Sequence, residues 1–500
     1  MHRPSPEHGE SMRVLLVSDA IGLGIMEARP EPAWLVRLAG LRNKDLLAPD
    51  YGAMNVAAYL KAAGFPIEVV NLVADVHDSP DLFHEPNADP DAISGAAIGE
   101  AGAARASREH LFKTLRERRP DVILFPLSIY NIALYLRSLL ADIREACPET
   151  TIVAGGIYST FFAREILEAG DADIVVRGEG EVVTSEVLRS LAEGVGPDGI
   201  GGISYRRGSR IVHNPSRDLI GDLDALPHPY TVSGEFKIGT RFRILSELTP
   251  GGDYIPGGGF LTSRGCPEAC TFCLDPALNG QRTRFHSPEY VRGVVQYCHE
   301  NFTGGAGSFF FGDATFTMNR KRLRRMLELI EPIPFTYQIQ TRADYLDPDT
   351  IDRLAACRFT TVAIGAESFN ERILQDVAKK RLKVETILEA SRMVREAGMN
   401  PVLTFIVGLP GETRDSVRNT VEILRENGLH TATFFPLVVF RGTALFEMFR
   451  QRVSGSEMER LRLNPYSEEY LFTSDEFPTR EELTAFTEEV NTAVVRGSGL

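Results

Sequence analysis

The chain has few cysteines, no long apolar run and no excess of basic charge. Each lack excludes something. Six cysteines in 500 residues cannot build a disulfide scaffold. No window approaches about 18 uninterrupted apolar residues, which argues against a membrane-spanning helix. The polar segment Met1 to Arg13 lacks the apolar stretch of a signal peptide, so a cytoplasmic address is expected. Lys and Arg number 54 against 68 Asp and Glu, a net charge of −14, which speaks against broad nucleic-acid binding. Hydrophobic residues reach 43%, ordinary for a folded globular chain, and the length allows two or three cores.

The first half alternates short aliphatic runs with amphipathic stretches. Strands are expected at Arg13–Ser18, Ile67–Val73, Asp121–Leu127, Thr151–Ala154 and Ile174–Val176, with helices at Ala53–Ala63, Ala133–Ala146 and Ala163–Ala169. This β-α order predicts an α/β domain over residues 13–202, a doubly wound parallel sheet whose ligands sit beyond the strand carboxyl ends. The loops to watch begin at Ser18, Ser128, Gly155 and Arg177. Ala74–Ser107, rich in Asp, Pro, Ala and Gly, reads as a long excursion. Residues 203–258 read as a connector, with a hairpin around Arg207-Gly208 and a Gly- and Pro-rich stretch from Pro250 to Gly259.

Residues 259–445 repeat a longer β-α unit. Strands are expected at Phe260–Ser263, Ser308–Phe311, Thr336–Gln340, Thr360–Gly365, Val402–Val407 and Thr431–Leu437. Six strands alternating with helices predict a partial (β/α)6 barrel, with a short helical tail over 446–500. Barrel chemistry sits at the carboxyl ends of the strands, and every unusual polar motif of this half falls there. Leu445–Leu471 and the last helix are expected to close the barrel mouth.

The most informative motif is Cys266-Pro-Glu-Ala-Cys270-Thr-Phe-Cys273, directly after the first barrel strand. Three thiolates at this spacing can wrap one face of a compact metal centre. A structural zinc ion would want a fourth Cys or His, and the nearest downstream, His286, has no paired partner. A [4Fe–4S] cluster held by three thiolates leaves one iron open. Cys147, Cys298 and Cys357 are scattered and read as small buried hydrophobes.

The spacing, its place after strand one and the aromatic Phe272 resemble the radical S-adenosylmethionine (SAM) enzymes. The resemblance implies that Phe311-Gly312-Asp313 meets the SAM amino group, with Asp313 in place of the commoner glutamate. It further implies that Arg342 pairs with the SAM carboxylate and that Glu367 and Ser368 meet the ribose or methionine part. Phe405-Ile406-Val407-Gly408-Leu409-Pro410-Gly411-Glu412 resembles the segment lying along the adenine. Arg441-Gly442-Thr443 is expected to be structural.

The parallel-sheet domain ahead of the cysteines resembles the cobalamin-binding subgroup of that superfamily. The resemblance rests on Val153-Ala154-Gly155-Gly156-Ile157-Tyr158-Ser159-Thr160, on Val176-Arg177-Gly178-Glu179-Gly180-Glu181, and on the exit Asp222-Leu223-Asp224-Ala225-Leu226-Pro227. It implies corrinoid contacts from Ser128, Gly155, Gly156, Tyr158, Gly178, Glu179 and Gly180. Asp75-Val76-His77-Asp78 is similar to a cobalt-ligating loop, but Pro80 replaces its glycine and it follows the second strand, so His77 is not expected on cobalt. The implied enzyme reductively cleaves SAM at the cluster and, with cobalamin, methylates an unactivated carbon of a small metabolite or natural-product intermediate. A flavodoxin- or ferredoxin-like electron donor goes with that reading. The alternative keeps the radical step without methyl transfer: rearrangement, dehydration, epimerisation or cyclisation. A tRNA-modifying methylthiotransferase is disfavoured because no second cysteine triplet exists, and a corrinoid or redox sensor because the cysteine motif is intact.

Overall fold

In the computed structural model the described residues are 12–18, 50–72, 74–75, 100–127, 133–248, 256–302, 307–450, 474 and 476–497. The chain forms two compact units, one of residues 1–221 with 225–253, the other of 222–224 with 254–500.

The first unit is built on a seven-stranded sheet. Its strands are β1 (Val14–Ser18), β2 (Ile67–Asn71), β3 (Val122–Pro126), β4 (Thr151–Gly155), β5 (Ile174–Val176), β6 (Ile203–Arg207) and β7 (Arg210–His213), in the order β2-β1-β3-β4-β5-β6-β7. The first five are mutually parallel, and β6 and β7 add antiparallel to that edge. Val14–Val17, Val122–Phe125 and Ile152–Ala154 are nearly inaccessible, as strands covered on both faces must be. The strand order changes direction between β1 and β3, which marks where a doubly wound sheet binds its ligand.

Two expectations for this half shift. The segment 203–258 is not one connector: the hairpin β6–β7 continues the sheet, and 225–253 packs with the first unit. The reason is that Ile203, Tyr205, Tyr230, Phe236 and Phe242 all bury their side chains. The excursion after β2 ends early as well, because Glu100–Arg118 is helical. Its Ala- and Arg-rich composition favours helix, which outweighs the single Gly102.

The second unit is a six-stranded, all-parallel sheet with the order β15-β14-β13-β12-β11-β8. Its strands are β8 (Pro256–Phe260), β11 (Ser308–Phe311), β12 (Thr336–Thr341), β13 (Phe359–Glu367), β14 (Asn400–Val407) and β15 (Ala432–Pro436), and a small antiparallel pair, β9 (Ser263–Arg264) with β10 (Arg284–Phe285), lies beside it. The first strand lies earlier than expected, inside the glycine-rich run. The cause is close packing: Gly258 has φ of +144°, and a Cβ there would lie 2.8 Å from Phe309 Cε2 and 3.1 Å from Cys298 Sγ. An aromatic layer backs the sheet. Phe311 stacks on Phe316 at 4.8 Å and Tyr337 tilts against Phe359 at 5.1 Å. Rings of this size carry much of a core's burial.

The last helix, Arg480–Gly497, covers the β15 edge. Asn491 substitutes for a seventh strand: its Oδ1 accepts from Phe434 N at 2.9 Å and its Nδ2 donates to Phe434 O at 3.0 Å. An edge strand left bare would template pairing with another chain. Arg480 Nη1 donates to Leu437 O at 3.0 Å, closing the same edge one step further on. The rest of the expected mouth-closing segment, 451–473, lies outside the described residues. Replacing Asn491 with Ala removes both bonds and should cost about 1–3 kcal/mol. Denaturant unfolding followed by circular dichroism reads this directly, and an unchanged midpoint would show that the edge needs no cap.

Candidate functional site

The cysteine motif forms a loop beyond the carboxyl end of β8. It enters through Gly265, whose φ of +88° and three carbonyl neighbours at 2.7–2.9 Å leave no room for a side chain. Cys266 N donates to Gly280 O at 3.2 Å, and Cys273 N donates to Cys270 O at 3.2 Å. Thr271 anchors the centre. Its N donates to Ala378 O at 3.1 Å, its Oγ1 to Val377 O at 2.6 Å, and its O accepts from Leu445 N at 2.8 Å. Phe272 packs on an apolar cluster made by Ile373, Ala378, Leu409, Leu437, Leu445 and Phe449.

All three cysteines are free thiols. Burial pushes each thiol upward, Cys273 to about 12, while at Cys270 the charges of Lys380 and Arg342 oppose the rise. Among the described residues no three His, Cys, Asp or Glu side chains are placed to hold a single metal ion. A four-iron cluster asks instead for one thiolate at each of three corners. Three sulfurs on one short, pinned loop fit that group, and loading it must expel the thiol protons. His286 is not a fourth ligand in waiting. It is buried against Tyr290 and Phe260, bonded to Asp224 at 3.1 Å, and its pKa falls to about 4 because burial outweighs that partner.

The expected SAM residues fall into two groups. Glu367, Ser368, Gly408 and Leu409 lie together at the ends of β13 and β14. Glu367 has φ of +64° and holds Lys380 Nζ at 2.6 Å in a buried ion pair. At Gly365 a Cβ would lie 2.6 Å from Glu367 Oε1 and 2.8 Å from Lys380 Nζ, so a side chain there would push on this ion pair. Ser368 Oγ donates to Glu412 Oε1 at 3.0 Å and accepts from Asn370 N at 3.2 Å. Glu412 Oε2 in turn accepts from Gly408 N at 2.8 Å. Leu409 sits in the same apolar cluster as Phe272.

Asp313 and Arg342 depart from expectation. Asp313 is inaccessible, and its oxygens accept from Thr262 N at 3.1 Å, Thr262 Oγ1 at 2.9 Å and Ser263 Oγ. Its carboxylate ties β11 to the chain leaving β8 and does not face an open cleft. Gly312 lies at the same place, donating N–H to Phe260 O at 3.1 Å. Arg342 is buried beside the cysteine loop, its fork held by Asp344. Arg441-Gly442-Thr443 is structural: Gly442 has φ of +99° and Thr443 Oγ1 accepts from Phe446 N at 3.1 Å, capping Ala444–Arg450.

In the first unit, glycine turns end β4 and β5. Gly156 (φ +98°) and Gly178 (φ +81°) are joined by Thr160, whose Oγ1 donates to Gly156 O and accepts from Gly178 N, both at 2.9 Å. Among the described residues nothing lies within 4 Å of where a Cβ on Gly178 would be, and near Gly155 there is only Val176 at 3.9 Å. Open backbone at two neighbouring strand ends fits a broad, flat cofactor. Tyr158, Glu179 and Gly180 have other duties. Tyr158 is buried and stacks on Phe162 at 4.5 Å, Glu179 accepts from Ile220 N at 2.7 Å, and Gly180 lets Val56 come within 3.1 Å of its missing Cβ. Ser128 and His77 lie outside the described residues. Asp75 does not belong to an open loop: it accepts from Asn71 N at 2.8 Å and pairs with Lys237 at 2.8 Å and His110 at 3.2 Å.

Residues 260–439 match the radical SAM superfamily and residues 41–188 match the B12 binding domain. The chain is a B12-binding radical SAM enzyme. An uncharacterized methyltransferase of Pyrococcus horikoshii is 29% identical over 67% of this chain and 70% of its own length. The cytidylyl-2-hydroxyethylphosphonate methyltransferase of Streptomyces wedmorensis is 25% identical over 83% of this chain and 80% of its own. The fold is that of TsrM, a radical SAM methyltransferase from Kitasatospora setae solved with cobalamin and a [4Fe–4S] cluster, with a TM-score of 0.65 at 18% identity over 89% of this chain and 75% of that one. The family implies a cluster, SAM and cobalamin as this enzyme's cofactors. Among the described residues no helix is long and apolar enough to cross a membrane.

Sequence reasoning missed Thr160, Thr271, Lys380 and the duty of Glu412. Thr160, Thr271 and Glu412 stand within motifs already noticed, but their bonds run across the fold, and Lys380 lies outside every such motif. Burial raises the Glu412 carboxyl to about 7, against its hydrogen bonds from Gly408 and Ser368. A carboxyl bound more tightly to its proton in the folded state loses stability as pH rises from its ordinary value of 4.5 toward 7, by on the order of 2–3 kcal/mol. Glu412→Gln keeps an acceptor for Gly408 and should unfold later than the parent above pH 7, with the advantage vanishing near pH 5. A variant-minus-parent difference in unfolding free energy that stays flat from pH 5 to 8 would refute this.

Proposed function

We propose that this enzyme transfers a methyl group to an unactivated sp3 carbon of a small molecule, a metabolite or natural-product intermediate. The observation that carries the reading is the pairing, in one chain, of a pinned three-cysteine loop at a barrel strand end with open glycine turns ending two strands of a B12 domain. Two relatives carry the name methyltransferase, which favours methyl transfer over rearrangement or cyclisation. When bound, the cluster supplies the electron that cleaves SAM and the corrinoid supplies the methyl group.

The chain's own work is holding and shielding. Cys266, Cys270 and Cys273 hold three irons and leave the fourth to SAM. Gly312, Glu367, Ser368, Gly408 and Leu409, with Phe272 beneath, line the SAM side. Gly155, Gly156 and Gly178 lie against the corrinoid, and Thr160 fixes the spacing between their two turns. The barrel strands themselves offer a substrate no charge before Glu367, where the charge is already spent on Lys380. The electron comes from a flavodoxin- or ferredoxin-like donor in the cytoplasm.

Anaerobic iron–sulfur reconstitution with hydroxocobalamin, followed by desalting, tests the reading. Four irons and one corrinoid per chain are expected, and a Cys→Ala change at any of the three positions should reduce iron to near background. Iron without corrinoid would remove the methyl-transfer reading, and no iron would remove the radical reading too. Thr160→Val leaves the Gly178 N–H without its acceptor and should weaken corrinoid retention roughly tenfold, read by absorbance after dialysis, while iron content stays unchanged.

A further inference from the structure

The Arg342 side chain points to a role that the SAM assignment does not contain. A guanidinium has five N–H donors in a fixed plane, and here four of them make hydrogen bonds. Nε donates to Asp344 Oδ1 at 3.0 Å, and Nη2 donates to Asp344 Oδ2 at 3.0 Å and to Lys380 O at 2.9 Å. That leaves the two hydrogens of Nη1, which face Glu268 Oε2 at 3.5 Å and Cys270 Sγ at 3.9 Å. Glu268 is the middle residue of the Cys266–Cys270 turn, and Tyr345 holds its other oxygen at 3.3 Å. The segment leaving β12 therefore grips the cysteine loop at two points. A SAM carboxylate approaching Arg342 would compete with Glu268 for the one Nη1 hydrogen not already hydrogen-bonded.

We infer that Arg342 is a positioning residue for the iron–sulfur cluster: it clamps the cysteine turn through Glu268 and donates to Cys270 Sγ, raising the cluster's reduction potential. This rests on the three cysteines being the cluster ligands. A reduced cluster carries one more negative charge than the oxidised one. A fixed cation and an N–H donor at a ligand sulfur therefore favour reduction. Lys380 contributes charge to the same cysteine, but Glu367 is bonded to it and offsets it. Arg342 is partly offset as well, by Asp344 and Glu268, yet among the described residues it alone also directs a side-chain donor at the sulfur.

Reconstituted full-length protein carrying Arg342→Gln or Arg342→Lys tests this. Iron and sulfide are counted per chain, the potential is read by dye-mediated titration with electron paramagnetic resonance, and SAM affinity by equilibrium dialysis. With Arg342→Gln the potential should move negative and the resonance of the reduced cluster should change, while SAM affinity stays within about threefold. Arg342→Lys keeps the charge without the fork and should lie between. Should both variants fold with the parent's circular dichroism but fail to retain iron, the clamp is supported directly. An unchanged potential with SAM binding weakened tenfold or more would overturn the inference and return Arg342 to the SAM carboxylate. Failure of the unaltered protein to hold four irons would instead count against the cysteine assignment, and the two failures are thereby told apart.

Discussion

Thr271 is the residue on which the site's geometry depends. A cysteine loop is short and has no secondary structure of its own to hold its shape. Three bonds from one threonine tie it to the turn after β13 and to the helix after β15, elements more than 100 residues further along the chain. The other arrangements follow. Because Thr271 meets Val377 and Ala378, the neighbouring Phe272 falls onto Ile373, Ala378 and Leu409, and Cys270 comes under the charges of Lys380 and Arg342. Ile373–Val377 is a π-helical turn, and Lys379 and Arg381 take positive φ, so the segment that receives Thr271 is itself irregular. Such irregularity persists only where surrounding contacts determine it, and it concentrates at functional sites.

Most of the fold was legible because hydrophobic period and strand-end chemistry agreed. Ser308–Phe311, Ala133–Ala146 and Ala163–Ala169 stand as expected to the residue. The illegible parts are those where tertiary packing overrode composition. Pro256–Phe260 reads as a flexible glycine run, yet it is the first barrel strand, because Phe309 and Cys298 occupy the space that side chains would need. The β6–β7 hairpin reads as a linker since most of its residues are polar, while Ile203, Ser204 and Tyr205 are all buried.

At the site, backbone features were read more surely than side-chain roles. Glycines and the cysteine spacing declare themselves, because few residues do what they do. A carboxylate or guanidinium at a strand end is ambiguous: the same residue serves a ligand or braces a turn, and only its partners decide. Asp313, Glu179 and Asp75 stand where a ligand contact was plausible, and each is bonded to neighbouring backbone or side chains. Ser368 caps Asn370 and reaches across to the β14 loop.

That last bond explains why a buried acid sits behind the SAM side at all. Glu412 accepts from Gly408 N and Ser368 Oγ, so one carboxylate fixes the distance between the ends of β13 and β14. Gly408 cannot yield outward either, because Leu483 of the last helix lies 3.0 Å from where its Cβ would be. The loop is held between an internal carboxylate and the helix that caps the sheet edge. A neutral amide has a single acceptor oxygen, so it could serve Gly408 N but would turn an N–H toward Ser368 Oγ, whereas a hydrophobic residue would leave Gly408 N and Ser368 Oγ both unsatisfied. The acid's presence in a fully covered position therefore reflects the need for two acceptors facing opposite ways. Parallel strands meet this need at their carboxyl ends, where each chain turns away and its neighbours lose their ladder partners.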